Sequence, residues 1–286
     1  MSTRNDVTQR IFGPAIVFAA VFAAVQRIPV GLSRWIAILV RSPLAPLPRW
    51  PIGGWLAIML TIAVIVALMF FVDIAASDWA RQLPPRLIDI ADQITNFGLS
   101  GWFLYPLGFV LLVVAAAMTP RLSRRTQGTL AALAARFGFL FVAIGLPGLF
   151  VTIVKRLIGR ARPYVGVRDD PFAYIPFIWR PEYASMPSGH ATTATAAAIA
   201  IGAIWPQSRA VMWLYAVIIM LTRVVINVHH PSDVIAGAFV GVVGALLIRR
   251  FFAARRLVFG STDLRSYPWP RFKRIKTAAR EVVIGA

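Results

Sequence analysis

Six long apolar segments constrain the fold of this 286-residue chain more than any other feature of its sequence. They are residues 52–75, 102–118, 130–154, 189–205, 211–228 and 234–248. A helix of about 20 apolar residues crosses the hydrocarbon core of a bilayer, which is roughly 30 Å thick. Hydrophobic residues make up 58% of the chain and its mean hydropathy is +0.71, which excludes an ordinary soluble domain. The sequence therefore predicts an all-α integral membrane protein, a bundle of six transmembrane helices.

The distribution of basic residues predicts how these helices are oriented. The chain has 30 Lys and Arg against 11 Asp and Glu, a formal net charge of +19. Six spans place both ends of the chain on the same side of the membrane. The connections on that side are the arginine-rich ones, residues 1–50, 119–129, 206–209 and the segment after 248. By the positive-inside rule this side is cytoplasmic. The polar connections 155–189 and 229–233 then lie together on the outer face.

Three parts are predicted: a basic cytoplasmic or interfacial segment (1–50), a six-helix transmembrane domain (51–250) and a basic cytoplasmic tail (251–286). The apolar run 11–25 is short for a span and precedes Arg27, so we expect an interfacial helix there. A cleaved signal peptide is the alternative. The tail is expected to hold anionic lipids rather than nucleic acid. Since the chain has no cysteine, disulfides and thiolate metal sites are excluded.

Lys155 and Arg162, the latter followed by Pro163, form the first of three polar motifs. Seven residues span nearly two turns of a helix, so both cations can converge on one anion. The guanidinium fork matches phosphate oxygens and the ammonium adds a compact charge. An anchor to lipid headgroups is the alternative. These two cations are predicted to lie on the outer face, whereas most basic residues of the chain lie on the cytoplasmic side. Their unusual location favours an anion-binding site over a lipid anchor.

Residues 187–190, Pro-Ser-Gly-His, form the second motif at the start of an Ala-rich apolar segment. Ser188 can cap the helix or donate to a bound oxygen, and Gly189 lets a ligand approach the backbone. The first amides of a helix are unpaired and favour anions. His190 is then placed to act as a general acid.

The third motif joins Arg223, His229 and Asp233. Arg223 lies about two turns inside a predicted span, where an unpaired charge is costly, so we expect a buried anion or carboxylate as its partner. Asp233 follows Pro231 in the first turn of a helix and can accept a hydrogen bond from His229. That bond fixes the imidazole tautomer and frees the other nitrogen for attack, whereas His230 is expected to be a bystander. A simple capping bond is the alternative.

Taken together, the three motifs resemble the three-part signature of the type 2 phosphatidic acid phosphatase superfamily, which includes glucose-6-phosphatase and the vanadium haloperoxidases. The resemblance covers residues 155–233. Six spans with motifs on the outer face are similar to its membrane lipid-phosphatase branch. Thr222 stands where the family usually has serine, so a hydroxyl is retained.

The resemblance implies that His229 is the nucleophile and forms a phosphohistidine, that Asp233 orients it and that His190 protonates the leaving group. The phosphate-binding groups that it implies are Lys155, Arg162, Ser188, Gly189 and Arg223. No metal or other cofactor is expected, because three cations already balance the phosphate charge. The resemblance thus implies a metal-independent lipid phosphatase in a bacterial-type inner membrane, with its site facing the periplasm.

The substrate stays open among undecaprenyl diphosphate, phosphatidylglycerophosphate, phosphatidic acid and the phosphates of lipid A. A lipid phosphotransferase would use the same histidine with an acceptor other than water. A vanadate-dependent peroxidase would share the phosphate pocket, although the spans argue against it. A non-enzymatic lipid carrier would need neither His229 nor Asp233. The sequence also leaves the oligomeric state open.

Overall fold

A computed structural model describes residues 14–44, 46, 52–165 and 170–260. The chain divides into two compact units. The larger unit consists of residues 43–107 and 138–266, and the smaller one of residues 1–42, 108–137 and 267–286. Within the described residues the regular secondary structure is helical. It comprises α1 (Pro14–Val40), α2 (Ile52–Phe71), α3 (Asp73–Arg81), α4 (Pro85–Thr95), α5 (Gly101–Ala117), α6 (Arg124–Ile158), α7 (Gly189–Ile204), α8 (Arg209–Val225) and α9 (Pro231–Ala254).

Five helical stretches in the described part of the chain are long and apolar enough to cross a membrane. They are Gly53–Phe71, Pro85–Ala117, Arg124–Ile158, Pro206–Val225 and Pro231–Ala254. The remaining predicted span is the shorter apolar helix α7, which has 16 residues. The prediction of an all-α, multi-pass membrane protein is therefore confirmed, with five long spans and one short one.

Helix α7 lies at the centre of the larger unit, and most of its Ala and Thr side chains are buried. It packs closely against α9 because a glycine faces it at each of two successive turns. A Cβ on Gly237 would lie 2.3 Å from the Ser188 carbonyl oxygen, and one on Gly241 would lie 2.2 Å from Thr195 Oγ1. The Thr192 hydroxyl donates to the Gly237 carbonyl at 2.9 Å. This close packing holds the beginning of α7 beside the beginning of α9.

The chain leaves α6 through Gly159, the one described glycine with a left-handed backbone (φ +65°). A Cβ there would lie 1.7 Å from the carbonyl oxygen of Ile175, so no other residue fits. The Ile175 amide donates to the Gly159 carbonyl at 2.8 Å. The Ala161 amide donates to the Ala173 carbonyl at 2.9 Å. These bonds pin the segment that follows α6 to a later part of the same loop.

The first helix is longer than the predicted interfacial run. Helix α1 continues without a break through Arg27 and Pro29 to Val40, and Gly31 lets it pack closely on a neighbour within the smaller unit. A Cβ on Gly31 would lie 2.9 Å from the Cβ of Ala115. Residues 11–13 lie outside the described residues, and the interfacial location stays a prediction.

The start of the predicted tail belongs to the larger unit. Helix α9 ends at Ala254, and the buried ring of Phe259 contacts Phe139 with centroids 4.8 Å apart. Phe139 also contacts Phe252 at 5.4 Å. Residues 261–286 lie outside the described residues, so the binding of anionic lipids by the tail stays a prediction.

Candidate active site

All the predicted site residues lie in the larger unit, at helix ends and in the loops that join them. Lys155 is in the last turn of α6 and Arg223 is in the last turn of α8. Ser188, Gly189 and His190 begin α7, and Asp233 is in the first turn of α9. Arg162 and His229 lie in connecting segments. Close packing of these helix ends brings the three motifs together.

Several cations share this region. Lys155 is close enough to Arg162, Arg156 and Arg223 for their charges to act on it. His190 is acted on by Arg223, Lys155 and Arg162 as well as by His229. Like charges held this near repel one another unless an anion lies among them. Arg156 is a member of this cluster that the motifs did not predict.

Five buried polar atoms of this region have no hydrogen-bond partner among the described residues. They are Arg156 Nη1, Arg162 Nε, Ser188 Oγ, Arg223 Nε and His229 Nδ1. An unsatisfied buried donor costs about 1–3 kcal/mol, so a cluster of them at one point is unusual in a folded protein. A ligand rich in acceptor oxygens would satisfy those on the three arginines and on Ser188, whereas His229 Nδ1 faces Asp233.

The beginning of α7 is open to such a ligand. Ser188 is at the N-cap position, but its side chain makes no capping bond, contrary to the capping alternative. Its amide donates to the carbonyl of Asp233 at 3.0 Å, which fixes the backbone. A Cβ on Gly189 would meet no atom within 4 Å. The backbone at Gly189 therefore faces free space.

His229 and Asp233 face each other without forming the predicted hydrogen bond. His229 Nδ1 lies 3.7 Å from Asp233 Oδ2, beyond hydrogen-bond distance. The reason is that Oδ2 already accepts hydrogen bonds from the Ser185 hydroxyl (2.6 Å) and the His230 amide (2.9 Å). Burial lowers the pKa of His229 to about 4, although the nearby Asp233 opposes this effect. The imidazole is therefore neutral at neutral pH.

His230, predicted to be a bystander, has a structural contact. Its side chain accepts a hydrogen bond from the Asp233 amide, while the Asp233 carboxylate accepts one from the His230 amide. This reciprocal pair is a capping box, which satisfies free amides at the start of a helix. His230 Nδ1 also lies 3.4 Å from Ser77 Oγ. His230 thus fixes the start of α9 and, with it, Asp233.

The contacts that residues 92–98 make with Arg223 and with His190 were not predicted. The partner expected for Arg223 was an anion or a carboxylate, but its Nη1 donates instead to the neutral hydroxyl of Thr95 at 2.7 Å. The exposed Asp92 adds a favourable charge. Gly98 packs on His190, because a Cβ at Gly98 would lie 2.9 Å from His190 Cδ2. The sequence signal was weak, since this stretch carries mixed charges and no motif.

The third unpredicted feature is a buried ion-pair network behind Asp233. The guanidinium of Arg160 contacts both Asp73 and Asp233, and all three side chains are 0% exposed. Burial lowers the pKa of Arg160, but the charge of Asp233 and the hydrogen bond with Asp73 outweigh it and raise that pKa above its usual value. Arg160 lies within the first motif, between Lys155 and Arg162, but no local pattern in the sequence identifies its two carboxylate partners.

No group of three or more His, Asp or Glu side chains that could hold a metal ion occurs in the described part of the chain. Asp170, a carboxylate of the loop after α6, accepts a hydrogen bond from the amide of Phe172 at 2.8 Å. The acceptor-poor, donor-rich chemistry of the site suits an anion rather than a cation.

Comparison with known proteins places the chain in a family. The model of the PAP2 superfamily matches residues 136–257, which contain all three motifs. A lipid A 1-phosphatase from Rhizobium johnstonii is 31% identical over 229 residues, or 79% of this chain and 89% of that protein. A decaprenylphosphoryl-5-phosphoribose phosphatase from Mycobacterium tuberculosis is 33% identical over 158 residues, or 54% of this chain and 77% of that protein.

Two solved structures are also similar. One is a transmembrane PAP2 type phosphatidylglycerolphosphate phosphatase from Bacillus subtilis, with 20% identity and a TM-score of 0.44 over 68% of this chain and 94% of that one. The other is Aquifex aeolicus LpxE, with 20% identity and a TM-score of 0.42 over 66% of this chain and 94% of that one. The sequence match extends along most of the Rhizobium protein, and the family model covers all three motifs. The chain therefore belongs to the PAP2 superfamily, the type 2 phosphatidic acid phosphatases that its motifs resemble.

Proposed function

We propose that this protein removes phosphate from a membrane lipid through a phosphohistidine formed at His229, at a site on the outer face of the membrane. As a member of its family the protein is a lipid phosphatase of the PAP2 type, in a multi-pass membrane fold. The proposal adds the intermediate, the roles of the residues, the side of the membrane and the substrate. The observation that carries it is the cluster of unpaired buried donors beside a neutral, buried histidine.

The phosphoryl oxygens are held by the cationic groups and by the start of α7. The groups assigned to this task are Lys155, Arg162, Arg223, the Ser188 hydroxyl and the Gly189 amide. Buried donors on Arg162, Ser188 and Arg223 lack partners, so a phosphate can bind them without displacing existing hydrogen bonds. Gly189 faces free space, which leaves room for the phosphate. Phosphoryl transfer depends mainly on such positioning and charge stabilisation.

His229 attacks phosphorus with Nε2. The Asp233 carboxylate faces Nδ1, which favours the tautomer with its proton on Nδ1 and the lone pair on Nε2. The new P–N bond forms as the P–O bond to the lipid breaks, and the ring acquires positive charge next to Asp233. The 3.7 Å separation is expected to shorten as that charge develops, because hydrogen bonds at catalytic sites often tighten in the bound complex.

His190 donates a proton to the leaving oxygen as the P–O bond breaks. In the second step it removes a proton from a water molecule, whose oxygen attacks phosphorus while the P–N bond breaks. Inorganic phosphate leaves and His229 returns to its neutral form. His190 lies within electrostatic range of His229 and of the cations assigned to the phosphate, which disfavour a second positive charge. A bound phosphate offsets these cations and so favours the protonated imidazole that the first step needs.

Lipid A 1-phosphate is the substrate that we propose first. The relative that aligns with 79% of this chain is a lipid A 1-phosphatase, whereas the decaprenylphosphoryl-5-phosphoribose phosphatase aligns with 54%. A site at the ends of membrane helices also suits a lipid whose acyl chains stay in the bilayer while its phosphate enters the protein. The arginine-rich segments on the opposite side support an outward-facing site.

The test is phosphate release by the detergent-purified protein, with EDTA present, from lipid A, undecaprenyl diphosphate, phosphatidylglycerophosphate and phosphatidic acid. We expect EDTA-resistant release that is fastest with lipid A and absent in His229→Ala. Rapid quenching should trap an acid-labile phosphoryl group on the peptide that contains His229, which mass spectrometry can locate.

Thr129→Ala is a suitable control, because the Thr129 hydroxyl bonds only within its own helix in the described structure and is remote in sequence from every motif. Release unaffected by His229→Ala would overturn the mechanism and favour a carrier. Suppression of phosphate release by an added acceptor lipid, with phosphorylation of that acceptor, would instead identify a phosphotransferase. Fastest release from another lipid of the panel would replace lipid A as the substrate.

A further inference from the structure

We propose that Asp73 and Arg160 act together as positioning residues for the catalytic pair Asp233 and His229. This inference rests on the proposed phosphohistidine mechanism. Neither residue is among those assigned to the phosphate or to the reacting atoms. They act on the reaction through the orientation and the charge of the Asp233 carboxylate.

Arg160 is held by hydrogen bonds from three directions. Its Nε donates to the carbonyl oxygen of Pro171 at 2.9 Å. Nη1 donates to Ser232 Oγ at 2.7 Å and to Asp233 Oδ1 at 2.5 Å. Nη2 donates to Asp73 Oδ2 at 2.8 Å. The guanidinium therefore has one location, and the Asp233 carboxylate is fixed with it.

Asp73 completes this arrangement from the beginning of α3. Its Oδ1 accepts a hydrogen bond from the Ser232 amide at 3.0 Å, and its Oδ2 accepts one from the Ser232 hydroxyl at 2.5 Å. Each of these partners, like Arg160, is a donor, so only an ionised Asp73 side chain satisfies them all. Asp73 thereby links α3 to the beginning of α9 at Ser232, the residue that precedes Asp233.

The balance of charge explains why two carboxylates are needed. A single guanidinium paired with Asp233 alone would neutralise that carboxylate and weaken its attraction for His229. Because Asp73 shares Arg160, the buried group of two carboxylates and one guanidinium keeps a net negative charge. That charge lies on the Nδ1 side of His229, where it stabilises the positive charge that the ring gains during attack.

The same network also reaches the phosphate-binding side. Two backbone hydrogen bonds join the segment around Arg160 to residues 182–185. The Ser185 amide donates to the Arg160 carbonyl at 3.1 Å, and the Arg162 amide donates to the Glu182 carbonyl at 2.9 Å. Ser185 in turn donates its hydroxyl to Asp233. One segment thus places a phosphate-binding arginine and the support of Asp233 in a fixed relation.

The experiment compares Asp73→Asn with Asp78→Asn, a matched change on the same helix at an exposed carboxylate that pairs with Arg81 at the surface. Asparagine keeps the shape of Asp73, but its NH2 group faces donors and its charge is lost. With the lipid of the panel that the wild type hydrolyses fastest, we expect kcat to fall by about 10-fold to 10²-fold, as for a small displacement of a reacting group. KM should change by less than about twofold, since Asp73 contributes no uniform substrate binding.

Two inorganic inhibitors separate positioning from a general loss of structure. Orthovanadate resembles the five-coordinate transition state, so its inhibition should weaken by about the same factor as kcat. Inorganic phosphate resembles the ground state, and its inhibition should stay unchanged. Asp78→Asn should behave as wild type in every assay. Equal weakening by both anions, or wild-type kcat in Asp73→Asn, would overturn the proposal.

If Asp73→Asn does not fold, Ser232→Ala provides the second test, because it removes a bridging hydroxyl but keeps both ion pairs and the Ser232 amide. It should show the same selective loss of kcat and of vanadate inhibition, and a wild-type kcat would refute the inference. His229→Ala in the same assay separates the two proposals. Activity that survives in His229→Ala refutes the phosphohistidine mechanism itself, whereas its loss beside a fully active Asp73→Asn refutes only the positioning role.

Discussion

Replacing Gly98 by alanine should disturb catalysis by moving His190. Gly98 is buried in the short turn between α4 and α5, where its backbone packs directly on the imidazole. An added Cβ would lie 2.9 Å from His190 Cδ2 and 2.6 Å from Ile219 Cγ2. Ile219 is 1% exposed and β-branched, so its methyl group has little room to rotate away.

The size of the displacement follows from these distances. Carbon atoms that touch prefer separations of about 3.5–4.0 Å, so the imidazole and the new methyl group must separate by about 0.6–1.1 Å. Overpacking of this kind costs about 1–3 kcal/mol of stability. A displacement of about 1 Å in a catalytic group can lower a rate by about 10²-fold. We therefore expect kcat to fall by between about 10-fold and 10²-fold.

The assay compares a lipid phosphate, whose alkoxide or sugar oxygen needs a proton to leave, with p-nitrophenyl phosphate, whose leaving group does not. If His190 supplies that proton, Gly98→Ala should slow the lipid reaction far more than the nitrophenyl reaction. The control is Gly148→Ala, since a Cβ on Gly148 meets nothing within 4 Å. Thermal unfolding in the same detergent measures the accompanying loss of stability.

Two results would refute this reasoning. A wild-type rate with the lipid would mean that Ile219 or the turn gives way and that His190 stays in place. An equal loss with both substrates would mean that the methyl group disturbs the phosphate site or the fold rather than proton transfer. The assigned role of His190 is supported only if the rate falls with the lipid phosphate, which has the poor leaving group, and not with p-nitrophenyl phosphate.

Two further predictions follow from the site. Because burial lowers the pKa of His229 to about 4, the imidazole of His229 should stay neutral as the pH falls from 7 to about 5. The chain has three histidines, so NMR of protein with labelled histidine can follow each imidazole as the pH changes. Titration of His229 near 6.5 would contradict the prediction. Gly159→Ala should lower the thermal stability, because its Cβ would overlap the Ile175 carbonyl and its backbone φ is +65°. If Gly159→Ala and Gly148→Ala unfold at the same temperature, alanine at position 159 causes no strain and the prediction is wrong.

The spans and the motif positions could be predicted because each has a local signal. Apolar length marks helices, and the beginning of α7 follows from Pro187 to His190 at the edge of an Ala-rich run. The short α7 differs from a typical span because its small side chains are enclosed by neighbouring helices, so its burial comes from protein rather than lipid.

The support of the site could not be predicted, because it depends on contacts between residues far apart in sequence. Asp73 and Ser232 are separated by 159 positions, and Arg223 and Thr95 by 128. A charged residue near the end of a span has no local feature that identifies its partner. His229 and Asp233 pair as predicted but at 3.7 Å, a separation that the sequence could not give, since the competing Ser185 hydroxyl comes from another segment.

His229 lies within range of groups of both charges, Asp233 on one hand and Arg223 and Arg162 on the other, and in the proposed mechanism these groups act together. On its Nδ1 side the network of Asp73, Arg160 and Asp233 keeps a net negative charge. Unpaired cationic donors lie where the phosphate is proposed to bind. In the proposed attack the ring becomes positive while the phosphoryl oxygens keep their negative charge, so both groups would stabilise the same separation of charge. Under the proposed mechanism, substrate binding would remove the repulsion among the cations, and the attack that follows would use the negative charge behind the histidine.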